Sequence, residues 1–551
     1  MQEFGHYPTV WGASPYARIY RYNSGAATLV TEYNNTNYTV PASHNNITAD
    51  SIVIEYYTAS GKSYYDLGPG FRATYTSNGI GSGTNPSFPP AADMVATKGR
   101  IADPPVNAFT INEELGKGVN VVDIVPYGGT CTPQWTKAYY DAIQAGGFDH
   151  VRAVFFGFNE SGGANYEISA SVLTNVKSIV DSFIVRGIKV VLDYHQPAFL
   201  LYPSTINNDR FVSHWGQLAD YFSAYSIHDL VFELTNEPLE DYTTWNTLAA
   251  NAVSAIRAHS TSAQRIIILS PALWAQVAGL PYLTLPEDDG LILSVHYYKP
   301  TTFTHQGMSG NEGAVGGHWF NVQPMVKEID EYFAPLDAFS ATHNIPINVG
   351  EFGVNKDYGA LLADRALYSN YHARYFELKG WSWAIWDFKQ DFGIYTSGAY
   401  ITDMLDAIMT DPLPALSAYD STVIYQSNFT STTGWSATGA NLSVSGGVLI
   451  ASVTTPGSVP ADVIVQYPIS LEKNKIYRVT YTVSSASSRY TIIKTPYLEW
   501  DQPTITTSQY TNERSFTHYF SNYSGYVQFC IGGTSATFYI HNFKIETINI
   551  L

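Results

Sequence analysis

Between residues 107 and 412, short apolar runs alternate with longer segments of helical periodicity. Apolar runs of about four to eight residues without polar alternation are typical of strands that are buried on both faces. Eight such strands, with helices between them, fit a (β/α)8 TIM barrel. The predicted strands are Val119–Ile124, Val151–Phe156, Lys189–Asp193, Leu230–Leu234, Arg265–Leu269, Leu291–Val295, Pro346–Val349 and Gly380–Ile385.

Both flanks of this region carry a different pattern. Residues 1–85 predict a β-sandwich domain, either immunoglobulin-like or carbohydrate-binding, and residues 421–551 predict a second β-sandwich of jelly-roll type. Proline-bearing stretches at 86–106 and 413–420 are predicted linkers, so the chain is expected to be multidomain with the barrel at 107–412. The predicted flanking strands are Ala17–Tyr22, Thr28–Tyr33, Ser51–Tyr57 and Phe71–Tyr75, then Tyr477–Val483, Tyr526–Cys530 and Thr537–Ile545.

Charge and composition narrow the class of partner. The net charge of −18 would repel polyanions, so no nucleic-acid partner is expected. No apolar run approaches the roughly 20 residues that cross a bilayer, so no membrane contact is expected. Charged residues make up only 14% of the chain, which has 42 Tyr and 11 Trp. Neutral hydrogen-bonding groups and aromatic rings suit an uncharged, polyhydroxylated ligand. Aromatic-rich β-domains, however, share this composition for packing reasons.

Two observations concern the compartment in which the chain works. Cys131 and Cys530 lie far apart in the sequence, so neither a disulfide framework nor a cysteine metal site is expected. The first residues, Met1–Phe4, lack the basic and apolar regions of a signal peptide. We expect that a leader has been removed, and secretion is inferred from function instead.

Two predicted barrel strands deliver a glutamate directly after a buried apolar run. Glu237 follows the fourth strand within Asn-Glu-Pro, and Glu351 follows the seventh within Gly-Glu-Phe-Gly. Active sites of such barrels lie at the carboxyl ends of the strands, where burying a carboxylate is costly unless it has a purpose. Any single glutamate among the 47 acidic residues, considered alone, would be interpreted as a solvated surface charge. Two at matching strand ends indicate a functional pair.

Other predicted strand ends add polar side chains. On the sixth strand, period-two alternation places His296 and Tyr298 on one face. The third strand ends at His195, and the second carries Arg152 between apolar neighbours. These residues are therefore candidates for the same site as the two glutamates.

The eighth predicted strand ends at Trp386. If this ring points into the barrel, then so do Ser382 and Ala384, while Trp381 and Trp383 pack against helices. Small residues beneath an inward ring suit the floor of a site for a sugar. The alternative for Trp386 is core packing.

The motifs resemble glycoside hydrolase family 5, of cellulase type, over about residues 107–412. The resemblance rests on the Asn-Glu-Pro, the His-x-Tyr of the sixth strand, the Gly-Glu-Phe-Gly and the Trp-Asp-Phe of the eighth strand with its Phe-Gly-Ile-Tyr. Segment 303–307 also resembles a loop of the family and has no assigned role. Many members have a second histidine where this chain has Gln196, which leaves subsite detail open. The resemblance assigns to the site Arg152, His195, Asn236, Glu237, His296, Tyr298, Glu351 and Trp386.

The resemblance implies hydrolysis of a β-glycosidic bond with retention of configuration, through a covalent glycosyl-enzyme intermediate. Glu237 would be the acid/base, with its pKa raised by the charge of nearby Glu351, which would be the nucleophile. Tyr298 and Arg152 would hydrogen-bond the carboxylate of Glu351 and keep it ionised.

The supporting residues have further implied roles and duller alternatives. Asn236 would hold the sugar 2-hydroxyl at the cleavage site, and His195 and His296 would position the sugar and the acid/base. A lone buried histidine is more often a satisfied core residue. Arg152 could instead neutralise Glu233 inside the barrel.

Further aromatic residues are candidates for sugar platforms. Trp274, after the fifth strand, and Trp319, beyond the sixth, are weaker candidates in the barrel. The C-terminal region resembles a carbohydrate-binding module of β-sandwich type, on loose motifs such as its closing Phe-Tyr-Ile-His-Asn-Phe. Trp435, Tyr497 and Trp500 are platform candidates there, each equally consistent with core packing.

Metal-dependent hydrolysis is the rival chemistry for a barrel. It would want His-x-His on an early strand with further His and Asp ligands, and neither His-x-His nor His-Glu-x-x-His occurs in the sequence. No glycine-rich phosphate cradle precedes a helix. We expect neither a metal nor another cofactor.

The leading hypothesis is a secreted, monomeric, endo-acting retaining β-1,4-glucanase that hydrolyses plant-type polysaccharide. A β-mannanase, lichenase or xyloglucanase of the same mechanism is the alternative, because loops set that choice. A non-catalytic glycan-binding scaffold is disfavoured, since binding alone needs no opposed pair of carboxyl groups.

Overall fold

The computed structural model describes most of the chain, with gaps. Predictions on Phe71–Tyr75, the 86–106 linker, Cys131, Gln196 and Tyr497 lie outside the described residues. The described residues are 16–23, 26–33, 51–58, 61–66, 108–125, 135–156, 161–162, 166–195, 205–239, 241–259, 265–495, 498–521 and 523–551.

Four strands near the amino end form one antiparallel sheet. They are β1 (Tyr16–Asn23), β2 (Ala26–Tyr33), β3 (Ser51–Thr58) and β4 (Gly61–Asp66). Their order in the sheet is β2-β1-β3-β4. The first three match predicted strands. An immunoglobulin-like or carbohydrate-binding domain here stays a prediction.

The middle of the chain forms a closed barrel of eight parallel strands, as the apolar runs predict. The barrel strands β5, β6 and β9 to β14 neighbour one another in chain order, and β14 closes onto β5. Outside the barrel, β7 pairs with β8 and β15 pairs with β16. The strands of this region are β5 (Lys117–Val125), β6 (His150–Phe155), β7 (Ser161–Gly162), β8 (Glu167–Ile168), β9 (Lys189–Tyr194), β10 (Leu230–Glu233), β11 (Ile267–Leu269), β12 (Leu291–Tyr297), β13 (Ile347–Phe352), β14 (Ser382–Ile385), β15 (Tyr395–Thr396) and β16 (Ala399–Tyr400).

Helices cover the outside of the barrel. Every residue of β10 to β14 is buried, because side chains on one face fill the barrel and those on the other meet helices. The helices are α1 (Ala108–Leu115), α2 (Lys137–Gly146), α3 (Ala170–Ile184), α4 (Thr205–Tyr221), α5 (Tyr242–His259), α6 (Thr301–Thr304), α7 (Gln323–His343), α8 (Leu362–Leu378) and α9 (Thr402–Met409).

Helix α1 closes the amino-terminal end of the barrel. Its residues Ile111 and Leu115 share a buried cluster with Ile268 of β11 and Ile292 of β12. Asn112 accepts a 2.7 Å hydrogen bond from Ser382 of β14, which therefore points inward as expected. The opposite end, where β10 and β13 end, is left for a functional site.

Two antiparallel sheets follow the barrel. One has six strands, ordered β19-β20-β29-β22-β27 with β17 also paired to β29, and the other has the order β18-β21-β28-β24-β25. Both contribute to one apolar core, so they pack face to face. Two short strands, β23 and β26, pair separately with each other. The strands of this region are β17 (Tyr419–Gln426), β18 (Ser436–Thr438), β19 (Ala440–Ser445), β20 (Val448–Val453), β21 (Ile464–Leu471), β22 (Lys475–Ser485), β23 (Arg489–Tyr490), β24 (Ile492–Thr495), β25 (Leu498–Asp501), β26 (Thr504–Ile505), β27 (Tyr510–His518), β28 (Tyr523–Cys530) and β29 (Phe538–Ile550).

Cys530, in β28, is buried. Among the described residues, no helix combines the length and the apolar character needed to cross a membrane.

Candidate active site

Three side chains meet at the carboxyl ends of the barrel strands. Glu237 lies just after β10, His296 on β12 and Glu351 on β13. Nδ1 of His296 lies 2.8 Å from Oε1 of Glu237 and 3.5 Å from Oε2 of Glu351. One polar atom from each of the three lies within 4.8 Å of the others. The barrel thus brings together the two glutamates that the sequence predicts as a pair.

Glu351 is buried and is held by two donors. Nη1 of Arg152 donates to its Oε1 at 2.8 Å, and the hydroxyl of Tyr298 donates to its Oε2 at 2.9 Å. Burial and the charge of Glu351 raise the pKa of Tyr298 well above its usual value, so this hydroxyl stays a donor. Two donors, one of them charged, therefore fix the orientation of this carboxyl group.

Arg152 reaches several acidic groups at once. Its Nε and Nη2 donate to the two oxygens of Glu233 at 2.7 and 2.9 Å, and Nη2 lies 3.1 Å from Oδ2 of Asp193. Nη2 also donates to Oδ1 of Asn236 at 2.7 Å. Arg152 therefore contacts both Glu233 and Glu351, the two partners that the sequence offered as alternatives.

Asn120 is a supporting residue that the sequence reasoning missed. Its Oδ1 accepts from Arg152 at 2.9 Å, and its Nδ2 donates to the backbone oxygens of Gly350 at 2.9 Å and Ala384 at 3.2 Å. It thus ties three strands to the guanidinium group. The available signal was a single amide in the otherwise apolar core of β5.

Glu237 is in a different environment from Glu351. Its side chain is 26% exposed. Burial raises the pKa of Glu237 to about 7, against the opposing charges of His195 and Arg152. The sequence interpretation gave the charge of Glu351 as the cause, and this is corrected: desolvation is the main cause, because Glu351 is already paired with Arg152.

His296 is a neutral partner for Glu237. Burial lowers the pKa of His296 to about 4, so near pH 7 the ring is uncharged and Nδ1–H can donate to Glu237. Gly350 leaves room for this ring, since a Cβ there would lie 3.0 Å from Nε2 of His296. The first glycine of Gly-Glu-Phe-Gly therefore has a packing reason.

The rings of His195 and Trp386 stack on each other. Nδ1 of His195 is 2.7 Å from Oδ2 of Asp193, and its ring stacks on that of Trp386, with centroids 5.9 Å apart. A Cβ on Gly353 would lie 2.3 Å from the backbone oxygen of Trp386, so the second glycine of the motif permits this approach. Trp381 packs on Phe376 of α8, as expected.

Trp274 is an exposed ring beside the loop that carries Glu237. Its side chain is 51% exposed, and its backbone nitrogen donates to the oxygen of Pro238 at 3.4 Å. Leu273, Trp274 and Ala275 all have positive φ angles, of 64°, 59° and 54°. Such a run costs energy in non-glycine residues and is typical of functional segments.

Two other platform candidates are corrected. Trp319 is buried against Tyr368 and Tyr371 of α8, and Trp435 is buried in the core shared by the two C-terminal sheets. Neither ring can serve as an exposed platform. The side chain of Trp500 lies outside the described residues.

The three groups Glu237, His296 and Glu351 are also close enough to hold a cation. The guanidinium group of Arg152, 2.8 Å from Glu351, places a positive charge beside that space and disfavours one. The expectation that no metal is involved stays a prediction.

Comparison with known proteins decides the family. A family model described as Cellulase (glycosyl hydrolase family 5) matches residues 113–392, just over half of the chain. The chain belongs to glycoside hydrolase family 5. The match covers the barrel from α1 to the loop after β14, including every candidate residue named above for the barrel site.

Several curated relatives of this family 5 chain are endoglucanases. Endoglucanase H of Acetivibrio thermocellus is 27% identical over 252 residues, which are 45% of this chain and 27% of that protein. Endoglucanase A of Clostridium longisporum is 25% identical over 311 residues, 51% of this chain and 58% of that protein. The chain therefore spans less than two thirds of either relative. Endoglucanase A of Ruminococcus albus is 26% identical and 90% covered.

Solved structures resemble the same barrel. Endoglucanase Cel5A from Thermotoga maritima is 29% identical, with a TM-score of 0.52 over 55% of this chain and 100% of that one. The same protein has been solved in complex with cellobiose, at 29% identity, and with mannotriose, at 28% identity, both with a TM-score of 0.52.

Proposed function

We propose that this protein is a retaining endo-β-1,4-glucanase, with Glu237 as the acid/base and Glu351 as the nucleophile. The observation that carries the proposal is the pair of carboxyl groups whose nearest polar atoms lie within 4.8 Å, in opposite local environments. Retaining enzymes hold the two groups about 5–5.5 Å apart, whereas inverting enzymes need roughly 6.5–9.5 Å to admit a water.

The first chemical step forms the covalent intermediate. An oxygen of Glu351 attacks the anomeric carbon while the bond from that carbon to the leaving oxygen breaks. Glu237, whose pKa is raised to about 7 by burial, gives its proton to the leaving oxygen. Arg152 and Tyr298 stabilise Glu351 as the attacking carboxylate.

The second step returns the enzyme to its starting state. A water molecule gives a proton to Glu237 and its oxygen attacks the anomeric carbon, which breaks the bond to Glu351. The sugar leaves with its original configuration after two inversions. His296 supports both steps by holding Oε1 of Glu237 at 2.8 Å.

Three further side chains are proposed to bind the sugar. Arg152 donates a hydrogen bond to the amide oxygen of Asn236. The amide nitrogen of Asn236 is therefore available to donate to a 2-hydroxyl. Trp386, backed by His195, provides the floor for a sugar ring. Trp274, an exposed ring next to the loop of the acid/base, is proposed to contact a further sugar unit of the polymer.

The proposed choice of β-1,4-glucan is supported by three curated relatives that are endoglucanases. A β-mannanase is the second candidate, because the similar Cel5A has been solved with mannotriose. A lichenase or xyloglucanase would use the same chemistry. Secretion and a monomeric state remain parts of the proposal, as does carbohydrate binding by the C-terminal sheets.

The test compares reducing-sugar release by the wild type, Glu237→Gln and Glu351→Gln on carboxymethyl-cellulose, mixed-linkage β-glucan and mannan. Each variant should lose at least about a hundredfold in kcat, since each removes a group used in bond cleavage. Proton NMR of the first product should show the β-anomer. The relative rates of the wild type on the three polymers identify the preferred glycan.

Asp141→Asn is a matched control, because this partly exposed carboxylate of α2 is remote from the strand ends. Undiminished activity in either glutamine variant would refute the assignment of roles. An α-anomer as first product would refute retention. A wild type that binds polymer without cleaving it would favour the scaffold alternative.

A further inference from the structure

One residue of the C-terminal region lies in the apolar core of the barrel. Tyr519, just after β27, is 2% exposed and belongs to the barrel cluster. Its ring centroid lies 6.1 Å from that of Phe303, and a Cβ on Gly317 would lie 2.6 Å from its ring. Tyr519 therefore packs directly against segment 301–317, which follows β12.

Polar contacts line the same boundary. Glu328 of α7 accepts from Nη1 of Arg514 at 3.1 Å and from the backbone nitrogen of Ser515 at 2.9 Å. Nδ2 of Asn474 donates to the backbone oxygen of Gly316 at 2.9 Å. The C-terminal sheets and the barrel thus meet in a packed interface with paired polar groups, which fixes where Tyr519 lies.

Segment 301–317 also contacts Tyr298. Oγ1 of Thr304 donates to the backbone oxygen of Tyr298 at 2.5 Å, and the ring of His305 lies edge-on to the ring of Tyr298 at 4.9 Å. Gln306 is buried within the segment, and its Oε1 accepts from the nitrogen of Gly317 at 3.1 Å. The residues that rest on Tyr519 are therefore linked to those that hold Tyr298.

We propose that Tyr519 is a positioning residue for the hydrolytic site. Through segment 301–317 it holds Tyr298 where the hydroxyl donates to Glu351. This inference rests on the proposed function of Glu351. It gives the C-terminal sheets a part in bond cleavage that is separate from any binding of polymer.

The first experiment measures kcat and KM of full-length Tyr519→Ala and Tyr519→Phe on cellopentaose, or on mannopentaose if the wild type prefers mannan. Tyr519→Ala should lower kcat roughly tenfold with KM little changed, the effect of weakening a hydrogen bond to a charged group. Tyr519→Phe keeps the ring and should match the wild type. Tyr526→Ala, a change at a 40% exposed ring in the same region, is the control.

A double-mutant cycle separates positioning from general damage. Tyr298→Phe already lacks the hydroxyl that bonds Glu351. If Tyr519 acts through that hydroxyl, then adding Tyr519→Ala to Tyr298→Phe should cause much less than a tenfold further loss of kcat. Fully additive losses would overturn the proposal.

If Tyr519→Ala shows no cooperative thermal transition, Tyr519→Leu replaces it in the same cycle, because it retains apolar volume. An active wild type with unchanged kcat in the Tyr519 variant would overturn this proposal alone. A wild type that cleaves neither oligosaccharide would overturn the proposed function, and this inference with it.

Discussion

At the scale of single residues, the two site glutamates differ in the surroundings of their carboxyl groups. Glu351 is buried and accepts hydrogen bonds from Arg152 and Tyr298. Glu237 is desolvated by burial, and this desolvation favours its protonated form. A pair of carboxyl groups in such opposed environments suits one acid and one nucleophile at the same pH.

The pKa of Glu237 predicts the alkaline side of the pH–rate profile. Because burial raises the pKa of this carboxyl to about 7, the protonated acid is present below that pH and lost above it. We expect kcat/KM on an unactivated oligosaccharide to fall as the pH rises through about 7. Steady-state rates across the pH range in constant ionic strength test this.

The matched measurement uses an aryl glycoside with an activated leaving group, which needs no protonation. With that substrate Glu237→Gln should retain its glycosylation step, and the alkaline limb should disappear. A limb that persists in Glu237→Gln would assign the titration to another group.

Arg152 should be essential to stability as well as to the site. It is buried with Asp193, Glu233 and Glu351, so its removal leaves buried carboxylates without a counter-charge. We expect Arg152→Met to lower the free energy of unfolding of the barrel by about 3–5 kcal/mol. Urea denaturation followed by tryptophan fluorescence measures the loss.

Lys177→Met is the control for this prediction, because the pair of Lys177 with Asp181 is largely exposed and should contribute little. Equal, small losses in both variants would show that the carboxylates of the barrel do not depend on Arg152. In that case they would be held neutral instead.

At the scale of elements, the turn after β11 combines a strained backbone with Trp274, a proposed sugar-binding residue. Leu273, Trp274 and Ala275 all have left-handed φ angles. The nitrogen of His296 donates to the oxygen of Ala275 at 2.9 Å, so the turn is tied to β12 as well as to Pro238. These contacts hold a conformation that non-glycine residues adopt at a cost.

Paired substitutions at Trp274 separate the two roles. Trp274→Ala and Trp274→Gly both remove the ring, so both should raise KM for polymer to a similar extent. The glycine variant should be more stable than the alanine variant by about 1 kcal/mol, since glycine accepts a positive φ without strain. Thermal melting and polymer kinetics on the same samples provide the comparison. A glycine variant less stable than the alanine variant would show that the turn relaxes.

At the scale of the whole molecule, the barrel and the C-terminal sheets should unfold together. Their interface includes Tyr519 in the barrel core and the contact of Glu328 with Arg514. We expect amide exchange in α7 and in β22 to lose protection at the same denaturant concentration. Hydrogen-exchange mass spectrometry resolves both elements in one experiment.

The control is Tyr519→Ala, in which the two regions should lose protection separately. If β22 already unfolds well before α7 in the wild type, then the interface does not couple them. The C-terminal sheets would then be an independent module.

The barrel and the two glutamates could be predicted from the sequence for a local reason. A strand buried on both faces, such as β11, is apolar throughout, so its position is visible without knowledge of its neighbours. The carboxyl end of such a strand is a defined location, so Glu237 and Glu351 could be assigned to one edge.

Long-range packing decided the rest. Trp319 and Trp435 lie in segments without a local burial signal, and rings from distant parts of the chain bury both. The cause of the raised pKa of Glu237 depends on burial, which no motif encodes. Tyr519 belongs to the barrel core although it is distant from the barrel in sequence.

The sequence by itself thus determined the barrel, the acidic pair and the family's chemistry, because apolar runs and strand-end motifs are local properties. The tertiary structure alone decided that Arg152 serves Glu233 and Glu351 together, which rings are exposed, and how Tyr519 reaches Tyr298 through segment 301–317. Each of these depends on contacts between residues far apart in the chain, where periodicity carries no information.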